Sequence, residues 1–357
     1  MKRIFSFILL GALFAGVSCQ KFEQASAPVD DEMGVINITL EGVDAFVTTR
    51  ATTAEANSDR TAQTTQIFIF DSGGNFVKKL TAAAGSVSLS KGVQYTAAAL
   101  LNGPSLASPS LSELQSTVLD LATTDHYRAM YGTQTYDLRT AASASGSITC
   151  NHLAARVHLA SITNNLPTAL GAITLTGCYL SNAKGRVQVN GTAVNYWYNA
   201  YGRSVAVGSN SSTKTTTYAS ESSPGATWLY KSFSSAPVAH GATYSTINPY
   251  FYCYPNACET ALSDMSASTD GSLYTTPQAT WITVVGTVGG NTYYWTYNIG
   301  AVSPNTTGLV ANYTYDVTMT INNLGSSNPA TPVTTGSATI TISAGTWTDG
   351  GSVSATI

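Results

Sequence analysis

The residues equipped for chemistry are few and far apart. The four histidines, His126, His152, His158 and His240, are scattered along the chain. His152 and His158 share the parity of one strand face, but no third ligand accompanies them, and a metal or acid–base site needs convergent partners. There is no nucleophile elbow, no phosphate-cradling glycine loop and no zinc-helix signature. Asp264, Asp270 and Gly271 miss the spacing of a calcium loop and read as a solvated turn. No metal, cofactor or enzymatic activity is therefore expected. Thiol chemistry remains. Besides Cys19 the chain has Cys150, Cys178, Cys253 and Cys258. In an oxidising compartment this even number allows two bridges, in three connectivities. Cys253 and Cys258 flank Pro255-Asn256 and suit a short looped bridge, with Cys150–Cys178 as the other pairing to consider. A metal at the 253/258 pair is disfavoured because no histidine lies near it in sequence.

Cys19 has a different context. Lys2 and Arg3 precede an apolar run, Ile4 to Val17, that is short for a bilayer-spanning helix and closes on Gly16-Val17-Ser18-Cys19. Small residues immediately before a cysteine resemble a bacterial lipobox, in which the thiol is lipidated and becomes the new first residue. The acyl chains would anchor a soluble domain, each buried methylene contributing about 0.8 kcal/mol. A plain signal peptide cut elsewhere is the alternative. Gln20, with no aspartate there, points to the outer membrane, and Lys21–Met33 reads as a tether. Arg50 lies in a small-residue polar stretch of the kind a protease reaches, although an ordinary solvated arginine fits as well. The last candidates are aromatic: Tyr196-Trp197-Tyr198 with Tyr201 could stack on a sugar or a partner, or pack within an insertion. Tyr293, Trp295 and Tyr297 share one strand face and read as core.

The elements that would carry these groups are mostly strands. With 10% charged residues and a net charge of −3, the chain lacks the basic surface that nucleic acid requires. At 43% hydrophobic it has enough apolar side chains for cores, and its 357 residues fit two domains. Ile36, Ile38 and Leu40 alternate on one face of an opening strand. Strands follow at Gln66–Asp71, Phe76-Val77, Ser86–Leu89, Gln94–Leu100 and Met130–Leu138, with one short helix expected over Ser112–Thr123. A small, flexible break is expected at Ser143–Ser147, then a strand at Ile148–Leu159, and further strands at 172–175, 186–189, 280–285, 293–299 and 313–321. Tyr196–Ser223 reads as a long surface insertion. After a stiff Asn328–Pro332 link, Ala338, Ile340, Ile342 and Ala344 alternate with Thr and Ser, and Val353, Ala355 and Ile357 repeat the pattern. A chain ending on an apolar strand face needs a sheet to receive it, and a neighbouring molecule's sheet is expected. The turn spacing predicts an all-β fold of two β-sandwiches.

Taken together, the lipobox at Cys19, the strand ending Thr48-Thr49-Arg50-Ala51, Pro249-Tyr250-Phe251-Tyr252-Cys253-Tyr254-Pro255-Asn256, the Asn312–Ile321 strand and the proline-linked terminal strands resemble the fimbrillins, the type V pilins of Bacteroidales. The resemblance implies two tandem transthyretin-like β-sandwich domains and export as an outer-membrane lipoprotein precursor. It further implies that an arginine-specific protease cuts between Arg50 and Ala51, removing the strand of Ile36, Ile38 and Leu40. A donor strand of the adjacent subunit, bearing Ile340, Ile342, Ala344, Val353 and Ile357, would then fill the groove. Other copies of the chain, accessory tip and anchor pilins and the protease are the implied partners, and a fimbrial shaft that supports adhesion the implied role. A tip or anchor subunit, or a monomeric surface lipoprotein that binds a glycan or host ligand, is the alternative. The expected divisions are 1–19 leader and lipobox, 20–50 tether and removable strand, 51–146 and 147–327 the two sandwiches, and 328–357 linker and donor strands.

Overall fold

The computed structural model describes residues 32–42, 62–123, 126–181, 183–198, 204–205, 227–246, 249–256, 280–299, 308–327, 338–346 and 353–356. The alternation at Ile36 and Ile38 produces β1 (Met33–Glu41), in which both isoleucines face inward and Leu40 is half-buried. β2 (Thr65–Phe70), β3 (Phe76–Leu80), β4 (Ala84–Ser90) and β5 (Gln94–Leu101) follow. Then come α1 (Leu111–Ser116), β6 (Val118–Asp120), β7 (Met130–Asp137), β8 (Ser143–Thr149) and β9 (Asn151–His152). One sheet has the order β4-β1-β8 and the other β3-β2-β5-β7-β9. Between them lies a core that includes Ile36, Ile38, Ile67, Ile69, Val87, Leu101, Ile148 and Cys150.

The other face of the larger sheet is covered too. Phe68, Phe70, Ala98 and Leu100 belong to the core that continues into the second half of the chain. That is why β2 and β5 read as nearly continuous apolar runs: strands buried on both faces lose the alternation.

The structure corrects two expectations in this half. The helix is shorter than 112–123. A capping box between Ser110 and Glu113 starts α1, but Thr117-Val118 is β-branched and Val118–Asp120 finds a strand partner, so tertiary pairing overrides helical spacing. The Ser143–Ser147 break is instead a strand, β8, running parallel to β1. Small hydroxyl side chains serve it well: Asn37 Nδ2 donates to Ser145 Oγ at 3.1 Å, and the Thr39 and Ser147 hydroxyls lie 2.8 Å apart.

The second half contains β10 (Ala155–Asn164), β11 (Ile173–Ser181), β12 (Ala183–Gln188), β13 (Ala193–Tyr198) and β14 (Ser204–Val205). It continues with β15 (Tyr230–Val238), β16 (Thr243–Tyr244), β17 (Tyr250–Cys253), β18 (Trp281–Val288) and β19 (Asn291–Asn298). β20 (Tyr313–Ile321), β21 (Ala338–Thr346) and β22 (Val353–Thr356) complete it. The sheet β16-β10-β20-β21-β22, with β17 also paired to β10, and the sheet β15-β11-β18-β19 supply its core. A third sheet, β14-β13-β12-β6, joins the second half to β6 of the first. The expected single strand over 148–159 is three pieces: the end of β8, then β9 paired to β7, then β10. The described residues are thus all-β, two tandem β-sandwiches with one short α-helix among them.

Candidate functional site

β1 is the central strand of its sheet. Met33–Thr39 run antiparallel to β4 and Val35–Glu41 parallel to β8, seven register pairs on each side. Its ends are fixed as well: Lys91 N–H donates to the Glu32 carbonyl at 2.7 Å and Cys150 N–H to the Glu41 carbonyl at 2.8 Å. Ile36 and Ile38 are 0% and 1% exposed, and Leu40 packs against the same core. On the outward face Asn37 also accepts from Ser86 Oγ at 2.6 Å, so β1 is tied by side chains to both neighbours. Without β1, β4 and β8 would each present an unpaired edge, and Ile67, Ile69 and Val87 would lose part of their cover. Arg50, Ala51 and Cys19 lie outside the described residues.

The terminal strands differ from expectation. β21 pairs with β20 along nine residues of its own chain, from Ala338 opposite Ile321 to Thr346 opposite Tyr313. Ile340 and Ile342 are 1% and 3% exposed and belong to the core with Val317, Met319 and Ile321. The receiving sheet is therefore this subunit's own; β20 needs a partner on that edge and finds it in the same chain. β22 lies beyond, held to β21 by four residues, with Val353 opposite Ala344. Ile357 lies outside the described residues.

The aromatic candidates become part of a junction. Asp120 at the end of β6 accepts from Arg186 Nε of β12 at 2.7 Å, from the Tyr198 hydroxyl of β13 at 2.8 Å and from Ala122 N–H at 2.9 Å. Burial pushes the Asp120 carboxyl up, but these donors together hold it below its ordinary value. Tyr198 is raised, by burial first and then by its bond to Asp120. The Arg186 guanidinium sits 3.7 Å over the Tyr196 ring, and Tyr198 meets Tyr196 and Trp228 edge-on at 5.0 and 5.4 Å. Gly185 makes room for this, since a Cβ there would sit 2.7 Å from Tyr198 Cε2. These rings meet edge to face, and Tyr196 gives a face to an arginine. A flat stacking platform for a sugar is not what they form. Tyr201 and the Trp197 side chain lie outside the described residues. Asp120 and Arg186 had no sequence signal: one follows a helix, the other sits mid-strand, and only the fold joins them.

The thiols also depart from expectation. Cys150, Cys178 and Cys253 are free and buried, so neither Cys150–Cys178 nor a bridge from Cys253 is present; Cys258 lies outside the described residues. Burial pushes the Cys150 and Cys253 thiols up to about 12, which suppresses the reactive thiolate. The histidines occupy separate places. His126 Nδ1 accepts from Asp120 N–H, His158 pairs with Asp316 at 2.6 Å and stacks on Tyr250, and His240 bonds the Leu166 carbonyl. Among the described residues no group of three His, Cys, Asp or Glu could hold a metal ion, and no helix is long and apolar enough to cross a membrane. Asp264, Asp270 and Gly271 lie outside them.

Neither a protein-family model nor a curated protein sequence matches the chain. Solved structures do. A candidate cell adhesion protein of Bacteroides eggerthii superposes with a TM-score of 0.59 at 18% identity, covering 89% of this chain and 97% of that one. A fimbrilin of Porphyromonas gingivalis superposes with a TM-score of 0.57 at 13% identity, covering 88% and 97%. A candidate cell adhesion protein of Parabacteroides distasonis gives 0.56 at 14%, covering 88% and 99%. The chain shares the fold of these fimbrilin and cell adhesion proteins over nearly its whole length.

Proposed function

We propose that the chain is a structural pilin, a shaft subunit of cell-surface fimbriae that polymerises with copies of itself and supports adhesion. The observation that carries this reading is the position of β1, clamped between β4 and β8 with its isoleucines in the core. Excision of such a strand opens a slot with two unpaired edges and an apolar floor, which a strand of another subunit can refill by backbone pairing. Four apolar side chains buried there would contribute roughly 6–12 kcal/mol before ordering costs. The shared fold with a fimbrilin supports the same reading.

In this scheme Cys19 is lipidated during export to the outer membrane, and an arginine-specific protease cuts at Arg50–Ala51. The terminal residues Ile340, Ile342, Ala344, Val353 and Ile357 supply the donor. Since β21 is docked on its own subunit, donation requires release, and β22, held on one side by four residues, leaves more readily than β21. The chain divisions at 19, 50, 146 and 327 belong to this proposal, as do tip and anchor pilins as accessory partners. Donor and slot lie at different places on the subunit, so the contact propagates into a filament instead of closing on itself. A chain with both a removable strand and terminal strands suits a shaft better than a tip or an anchor. The glycan-binding lipoprotein is not favoured, because Arg186 already occupies the Tyr196 ring.

The test is N-terminal sequencing of surface-sheared protein together with electron microscopy of the same fraction. A start at Ala51 in filaments is expected, and Arg50→Ala should keep β1 and yield no filaments. Filaments whose subunits retain residues 33–41 would overturn the proposal.

A further inference from the structure

Two tandem sandwiches joined by one connector would be free to hinge and to unfold separately. In this molecule the junction is crossed many times. β6 of the first half pairs with β12 of the second, Val118–Asp120 opposite Gln188–Arg186. Backbone bonds extend the seam: Leu121 N–H to Gly185 carbonyl at 2.9 Å, Val189 N–H to Thr117 carbonyl at 2.9 Å, and Asn190 N–H to Gln115 carbonyl at 3.1 Å. The Tyr254 hydroxyl of the second half donates to the His126 carbonyl of the first at 3.1 Å. Leu153 N–H reaches back to the Ala129 carbonyl at 2.9 Å. Beneath the seam, Leu114, Leu119 and Leu121 share one core with Val187, Val189 and Tyr254. At its centre Asp120 of the first half gathers Arg186 and Tyr198 from two strands of the second.

We propose that this Asp120–Arg186–Tyr198 clasp welds the two sandwiches into a single cooperative unit that opens all at once. The root of the Tyr196–Ser223 insertion thereby gains a role: β13, which leads into it, supplies the tyrosine that locks the waist. Cooperativity across the seam comes from its composition, because unfolding either half alone would strip the other of β-partners and leave Arg186 facing no carboxylate. That this protects a filament subunit from being pulled open at its waist rests on the function proposed above. The unfolding behaviour does not, and it is measured on monomers, so the two can fail separately.

The chain supplies its own probes. All five tryptophans (Trp197, Trp228, Trp281, Trp295 and Trp347) lie in the second half, whereas Cys150 is buried in the core of the first. With the apolar leader removed and every described residue kept, urea unfolding is followed by tryptophan fluorescence and by pulsed thiol labelling, the Cys150 peptide being read by mass spectrometry. The wild-type transitions should coincide. In Asp120→Ala/Arg186→Ala they should separate by more than the width of either. Tyr198→Phe, which keeps the ring and removes one bond, should shift both midpoints down and part them less, and it serves if the double variant does not fold. Two separated transitions in the wild type would overturn the proposal, as would coincident ones in every variant that folds.

Discussion

At the scale of single residues, burial separates positions that look alike in sequence. Ile36, Ile38 and Leu40 alternate identically, yet the isoleucines are sealed and the leucine is half-open. Ile38→Ala should therefore lower unfolding free energy by about 2–4 kcal/mol, and Leu40→Ala by clearly less, in urea titrations. Ile340 and Ile342 are equally sealed, within their own subunit. Ile340→Asp or Ile342→Asp should cost the monomer its fold, seen as loss of the cooperative transition, so those variants do not isolate assembly. Asp120 adds a pH signature. Its folded carboxyl is held below the unfolded value of about 3.9. The stability it contributes is then complete above that value and lost as pH falls through the lowered folded one. Asp120→Asn should flatten this stretch of the stability–pH curve, and an unchanged curve would remove Asp120 from the clasp. The alternation of the isoleucines was legible in the sequence, but the Asp120 contact was not: Asp120 and Arg186 are 66 positions apart, and their pairing depends on two short strands meeting.

Among the elements, β1 and β22 are the two whose removal tests assembly cleanly. A chain shortened after Thr346 keeps β21 on β20 and should remain a folded monomer while failing to extend filaments. Added in excess to native subunits, the same truncated chain should shorten filaments measured by electron microscopy. Strand removal should also uncover the Cys150 thiol, which shares its core with Ile36 and Ile38. After cleavage, before any refilling, the labelling rate of Cys150 should rise by orders of magnitude, since burial alone suppresses it. The sequence disclosed β1, β20 and β21 plainly, because each has one buried and one wet face and hence a clear period of two. It concealed β8, whose outward serines imitate a linker, and β6, whose three residues lie in the shadow of a helix pattern. The insertion root was hidden for another reason: β13 takes its structure from β12 and not from its own alternation.

For the whole molecule, the all-β class and tandem sandwiches came from composition and turn spacing, whereas the destination of the terminal strands did not. Alternation states that a face is to be buried and is silent about whose sheet will bury it. The surface of the β4-β1-β8 sheet carries a consequence of its own. Its cross-strand fastenings, Asn37 with Ser86 and Ser145, and Thr39 with Ser147, are neutral hydrogen bonds. The nearby Glu32–Lys91 ion pair is exposed and open to screening. With the waist ion pair removed in Asp120→Ala/Arg186→Ala, raising sodium chloride from about 0.05 to 0.5 M should then leave the first sandwich's own midpoint, read by Cys150 labelling, nearly unmoved, a range over which charge-held surfaces weaken. Brine and fresh water are the same place to a sheet sewn with hydroxyls.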